Sequence, residues 1–304
     1  MNKRVADHRS GSEKRAHRKI KEYNIEYHNH RIAVLEWPNE KSSKPPMVCF
    51  HGWLDNAASF THLAEQFPEY RVIAMDFLGH GKSSHKTVGE RYHYIELVPF
   101  IYHALKSLEL KEIILIGHSM GAGACMLYTG SIGEFVSKLI LLEGIAPMTS
   151  PAEEAAQILR DGIQQFERLA SVKMPVYESI TQAIKIRERA NGLSEAAAEL
   201  IVKRGIKKIK TGDNLYGFTW RSDPRLKVSS LSRMTDEQIT NIIAQVNCPV
   251  LILLADQGLP QLAAKVDTIL PHFKHASYEK IAGHHHLHLD SVMGVSVSMR
   301  KFLQ

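Results

Sequence analysis

The sequence predicts an α/β protein in which a mostly parallel sheet is covered by helices on both faces. Two observations carry this. From about residue 23 onward, short β-like runs alternate with stretches of helical length and spacing. Most of those runs are continuously apolar rather than alternating, the pattern of strands buried on both faces. A chain of 304 residues with 44% hydrophobic and 23% charged residues suits one large domain with an inserted subdomain, and it excludes collagen-like, coiled-coil and wholly disordered classes.

The first two strands, near Asn24 to Tyr27 and Arg31 to Trp37, are joined by the polar turn His28, Asn29, His30 and read as a hairpin. The buried runs follow at Met47 to Phe50, Val72 to Met75, Ile113 to Ile116, Leu139 to Leu142, Val250 to Leu254 and Ala276 to Ile281. Ala58 to Gln66, Ile95 to Leu108 and Ala122 to Tyr128 have helical spacing between them. Between residues 150 and 245 the alternation gives way to segments rich in Ala, Glu, Lys and Ile, read as an inserted helical cap. The core is then 23–149 together with 246–304. In the cap, Lys203, Arg204, Lys207, Lys208 and Lys210 read as a solvated helix face beside Ile201, Ile206 and Ile209. Tyr216, Phe218 and Trp220 are expected to pack the cap's own interior.

Residues 1–22 hold eight basic side chains against Asp7, Glu13 and Glu22, which accounts for +5 of the net charge of +6. This stretch reads as a flexible basic extension. The remainder is close to neutral, so no nucleic-acid partner is expected. The extension has no apolar core of a secretory signal, and no apolar run reaches the roughly 18 residues of a membrane helix, so no stable membrane insertion is expected. Cys49, Cys125 and Cys248 are widely spaced in apolar segments, which fits free thiols in a reducing cytoplasm.

The chemistry gathers at Gly117, His118, Ser119, Met120, Gly121, a G-x-S-x-G pattern between an apolar run and a helical stretch. A serine on such a strand-turn-helix bend adopts a strained backbone, and the flanking glycines let strand and helix approach. The Met120 amide then lies at a helix N-terminus, where unpaired N–H groups favour a developing oxyanion. A serine hydroxyl needs a base, and chain order in such a fold puts the histidine after the last strand. His284, His285, His286 and His288 stand there. No Cys, Asp or Glu set with ligand spacing accompanies them, so no metal is expected. Two strand-end carboxylates are candidates for orienting the base, Glu143 and Asp256.

These residues resemble the α/β-hydrolase superfamily, and His51 to Phe60 (HGWLDNAASF) resembles its serine hydrolase-like branch. Asp76 to Ser83, the serine elbow, Trp220 to Leu226 and the histidine-rich ending extend the resemblance over about residues 25 to 304. The resemblance implies the α/β-hydrolase fold, an eight-stranded sheet, a helical cap and cofactor-free hydrolysis, with an oxyanion hole from the Trp53 and Met120 amides. The family ending G-H-x-x-H-L places the catalytic histidine at His285, with His284 as the alternative. The usual acid position falls on Gly258, two residues beyond Asp256. Haloalkane dehalogenases carry their acid one strand earlier in an E-x-I-x-P setting, which Glu143 to Pro147 matches, so Glu143 is preferred. Those enzymes and the epoxide hydrolases use an aspartate nucleophile, so Ser119 argues against both activities. The resulting expectation is a serine hydrolase cleaving carboxylic esters through a Ser-His-Glu triad and an acyl-enzyme, with a small molecule as substrate. C–C hydrolysis, acyl transfer, lyase chemistry, cofactor-free perhydrolysis and a non-catalytic ligand-binding role are alternatives on the same fold.

Overall fold

The computed structural model describes residues 18–169 and 173–304. Among them the strands are β1 (Lys21–Tyr27), β2 (His30–Trp37), β3 (Met47–Phe50), β4 (Val72–Met75), β5 (Ile113–His118), β6 (Val136–Leu142), β7 (Ile206–Gly212), β8 (Leu215–Trp220), β9 (Val250–Gln257) and β10 (Ala276–His284). Eight form one sheet in the order β1-β2-β4-β3-β5-β6-β9-β10. Only the pairings of β2, with β1 and with β4, are antiparallel. β7 and β8 form a separate hairpin.

Successive side chains of a strand point to opposite faces, so each apolar run feeds two cores. Val48, Phe50, Ile113 and Leu115 face α2 (Leu97–Ser107) and α3 (Met120–Ser131). Met47, Cys49, Ile114 and Ile116 face the other way, toward Leu63 and Ala64 of α1 (Thr61–Gln66) and Val295 and Met299 of a C-terminal helix. The central strands are shielded on both sides, which is why they are apolar throughout.

The excursion between β6 and β9 carries α4 (Ala155–Leu169), α5 (Ile180–Asn191), α6 (Glu195–Gly205), the hairpin and α7 (Asp236–Ile243). The sheet is completed by α8 (Pro260–Ile269), α9 (Leu287–Asp290) and α10 (Val292–Leu303). The excursion has its own apolar cluster, built on Ala183, Ile184, Ala197, Ile201 and Val202, with Phe218 and Trp220 packed against it. Tyr216 is instead exposed, with the Lys208 ammonium 4.1 Å from its ring centroid.

Three expectations change. The cap is not purely helical, and the basic run is not one helix face, because Ile206–Gly212 is a strand. Arg204 of that run is buried, its Nε donating to Asp76 Oδ2 at 3.0 Å and its Nη1 to Glu22 Oε1 at 2.7 Å. The basic extension cannot reach residue 22: β1 starts at Lys21, and the Arg18 guanidinium donates to the Tyr70 carbonyl at 2.7 Å. Residues 1–17 of it lie outside the described residues. Cys49, Cys125 and Cys248 are free thiols. No helix among the described residues is long and apolar enough to cross a membrane.

Candidate active site

Ser119 joins β5 to α3 with φ 51° and ψ −114°, a conformation that costs an L-residue energy and is retained because the surroundings enforce it. Its amide donates to the Leu142 carbonyl of β6 at 2.9 Å. The glycines around it are required by contact rather than by dihedral freedom. A Cβ on Gly121 would stand 2.2 Å from the Phe50 carbonyl oxygen, and one on Gly117 would stand 2.5 Å from the Ala122 Cα. The serine is thereby left only partly covered at the head of α3.

His285 follows β10, and its Nε2 lies 3.0 Å from Ser119 Oγ, a hydrogen-bonding distance across 166 residues of sequence. Its Nδ1 has no hydrogen-bond partner among the described residues and lies 3.7 Å from Glu143 Oε1, the ion-pair range. Glu143 caps β6 at φ 45° and is 1% exposed. Two backbone amides hold its carboxylate, Ala255 to Oε2 at 2.6 Å and Leu259 to Oε1 at 2.7 Å. These two donors fix the orientation of the carboxylate.

The backbone of Gly52 packs against the serine, since a Cβ there would meet Ser119 Cβ at 3.2 Å. Trp53 follows Gly52 directly in the chain, and α3 begins immediately after Ser119. His51 braces that loop: its Nε2 accepts from the Phe77 amide at 3.0 Å, so the proton sits on Nδ1, which donates to the Gly52 carbonyl at 2.8 Å. A cavity of about 530 Å³ opens at Trp53 and Met120 and runs past Tyr94, Leu97, Phe100 and the cap residues Leu226 and Val228.

The family model for the alpha/beta hydrolase fold matches residues 45–173. A hypothetical protein from Pseudomonas aeruginosa PAO1 shares the fold along its length, with a TM-score of 0.84 and 32% identity over 93% of this chain and 98% of that one. The chain belongs to the α/β-hydrolase superfamily. Within it, this α/β-hydrolase falls in the serine hydrolase-like branch. It is 28% identical over 286 residues to a serine hydrolase-like protein of Dictyostelium discoideum, across 90% of this chain and 78% of that protein. It is also 28% identical over 293 residues to human serine hydrolase-like protein 2, across 90% of each chain.

In this α/β-hydrolase the two remaining sequence candidates are exposed and engaged elsewhere. Asp256 is exposed and accepts from the Gly283 amide at 2.8 Å, bracing the turn before the histidines. His284 is exposed and pairs with Gln257 as the last residue of β10. Gly258, the usual acid position, is the informative one. A Cβ there would fall 1.9 Å from Glu143 Oε1, so the Glu143 carboxylate fills the space that a side chain at 258 would need.

The roles of Tyr94, His118, Asp55 and Arg187 beside the elbow escaped the sequence reading. Tyr94, half-buried, donates to the Met120 carbonyl at 2.7 Å. His118 Nε2 donates to the His285 carbonyl at 3.0 Å, tying the elbow to the loop that carries the base. Asp55, 3% exposed, bonds His286 Nε2 at 3.1 Å and is also paired with Arg187 from α5 of the cap. Burial opposes the Asp55 charge, but His286 and Arg187 outweigh it and hold the carboxyl well below the usual range. Burial, reinforced by the neighbouring imidazoles His288, His285 and His286, drives His118 far below an ordinary histidine. The one available signal was a set of polar residues amid apolar sequence, which does not say which of them meet.

Proposed function

We propose that this α/β-hydrolase cleaves carboxylic esters through a covalent acyl-enzyme. Ser119 is the nucleophile, His285 the base, Glu143 the orienting acid, and the Trp53 and Met120 amides are the oxyanion hole. The observation that carries this reading is the 3.0 Å contact between Ser119 Oγ and His285 Nε2. As Oγ attacks the ester carbonyl carbon, its proton passes to Nε2 and the carbonyl π electrons become the oxyanion facing the two amides. Collapse re-forms the carbonyl and breaks the C–O bond of the alcohol, which leaves with the proton from Nε2. Water repeats the sequence and releases the acid. Glu143 offsets the positive charge that His285 carries between these steps and keeps the proton of the resting ring on Nδ1.

The cavity supports an acyl group of moderate size. Its volume lies within the range of small-molecule sites, and Tyr94, Leu97, Phe100, Leu226 and Val228 supply apolar wall. The reading is tested with a fluorophosphonate probe followed by mass-spectrometric mapping. Labelling at Ser119, absent in Ser119→Ala, is the expected result, and an unlabelled wild-type serine excludes an activated nucleophile. A panel of p-nitrophenyl esters, thioesters and vinylogous diketones, run with and without an acyl acceptor, then separates ester cleavage from C–C hydrolysis and acyl transfer.

A further inference from the structure

We propose that Asp55, His118 and His286 form a site for a divalent transition-metal ion of zinc or cobalt type, directly behind the Ser119–His285 pair. One donor atom from each residue lies within 4.8 Å of the others, and all three side chains are buried. The site concerns binding alone and holds whether or not the ester reading does.

The proton positions carry the argument. His118 Nε2 is bonded to the His285 carbonyl, which can only accept, so the proton is on Nε2 and the Nδ1 lone pair points inward. That Nδ1 has no hydrogen-bond partner among the described residues and lies 3.8 Å from Asp55 Oδ2. Two lone-pair atoms 3.8 Å apart in a dry place are unfavourable, and a cation held by both removes the conflict. An imidazole whose second nitrogen donates to a backbone carbonyl is also the usual posture of a metal ligand.

His286 completes the set. Its Nε2 is 3.1 Å from the same Oδ2, and its Nδ1 has no partner among the described residues. Moving the ring proton to Nδ1 therefore frees Nε2 as a ligand at the expense of one hydrogen bond. Metal–ligand lengths of about 2.0–2.1 Å in a tetrahedron put donors roughly 3.4 Å apart. The observed separations from Asp55 Oδ2, 3.1 and 3.8 Å, bracket that value. His288, fully buried with both ring nitrogens unpartnered among the described residues, is a spare donor beside His118, the ring centroids being 4.1 Å apart.

Arg187 opposes the ion. Its guanidinium holds the other oxygen of Asp55, so arginine and metal compete for one carboxylate, and loading the ion loosens the hold of α5 on the core. A metal site weakened by a cap residue makes a prediction that incidental histidine binding does not.

The test is a titration of chelator-treated full-length protein with zinc chloride by calorimetry and with cobalt chloride by visible absorption. One strong site is expected, with the intense d–d bands of four-coordinate cobalt. His286→Gln and Asp55→Asn should weaken it by about 100-fold or more. Arg187→Met should tighten it by about tenfold or more. His284→Ala, at an exposed position, should leave it unchanged. Equal affinity in wild type and His286→Gln, or no tightening in Arg187→Met, overturns the proposal. If the ligand variants do not fold, the wild-type cobalt spectrum and Arg187→Met still decide, and only weak octahedral bands in the wild type also overturn it.

Discussion

Glu143 and Gly258 are complementary. A carboxylate anchored on one strand end fills the space that the family's usual aspartate position leaves when it is glycine. Because two amides orient that carboxylate, Glu143→Gln should lower kcat by on the order of 10³–10⁴-fold, while Asp256→Asn leaves it nearly unchanged. Steady-state kinetics on an ester substrate measures both, and the reverse order moves the acid to β9. A stronger test exploits the shared space. Gly258→Asp alone should be damaging, because its side chain collides with Glu143 and sets two carboxylates together. Combined with Glu143→Ala, it should recover at least tenfold of the activity lost in Glu143→Ala alone; no recovery would argue that the space is merely structural.

The cap is fastened to the core at many points, and Arg225 gathers several of them in one side chain. Its guanidinium donates to the carbonyls of Lys86 at 2.7 Å, Thr87 at 2.5 Å and Glu90 at 2.9 Å, and it pairs with Asp223 at 2.6 Å. The Trp53 indole reaches the same turn, donating to the Leu226 carbonyl at 2.9 Å, so the turn touches the residue proposed to supply one oxyanion-hole amide. Arg225→Ala leaves several carbonyls and a carboxylate without their donor and should destabilise by about 2–4 kcal/mol. Lysine should rescue little, since it lacks the planar fork. Urea unfolding measures the first effect, and faster proteolysis within the cap, with KM rising more than kcat falls, is the companion result. Under α3 the constraint is steric: Gly121→Ala sets a methyl against the Phe50 carbonyl and should abolish soluble expression or shift the urea midpoint strongly.

The molecule as a whole holds an unusual number of buried imidazoles, and this shapes its response to acid. Burial lowers His51, and burial with His51 nearby takes His80 down to about 3. Burial likewise lowers His118 and His288 far below the ordinary histidine range. The unfolded chain takes up these protons near pH 6.5 and the folded one does not, so stability declines as pH falls below about 6.5, by up to about 1.4 kcal/mol per pH unit for each ring. For His80 alone this amounts to about 2 kcal/mol at pH 5. Asp55 acts in another window. Its depressed folded value adds stability that is present above about 3.8 and lost only below it. Thermal melts should show the midpoint dropping by roughly 10 °C or more between pH 7.5 and pH 5. A flat profile would mean that these rings are already charged in the folded protein.

Much of the sheet was legible because its strands are buried on both faces, and continuous apolar runs at Met47–Phe50 and Val72–Met75 leave no competing pattern. The hairpin Ile206–Trp220 was not, because Ile206 and Ile209 stand three apart among lysines and mimic a helix, while the two-residue turn rests on Asn214 at φ 60°. The serine elbow was readable for a local reason: a strand, a sharp bend and a helix start are properties of adjacent residues. Which histidine faces Ser119, which carboxylate stands behind it, and that Asp55 joins His118 and His286 depend on groups brought together from distant parts of the chain. Those pairings follow from how the strand ends are stacked side by side, and only packing in three dimensions sets distances of that kind.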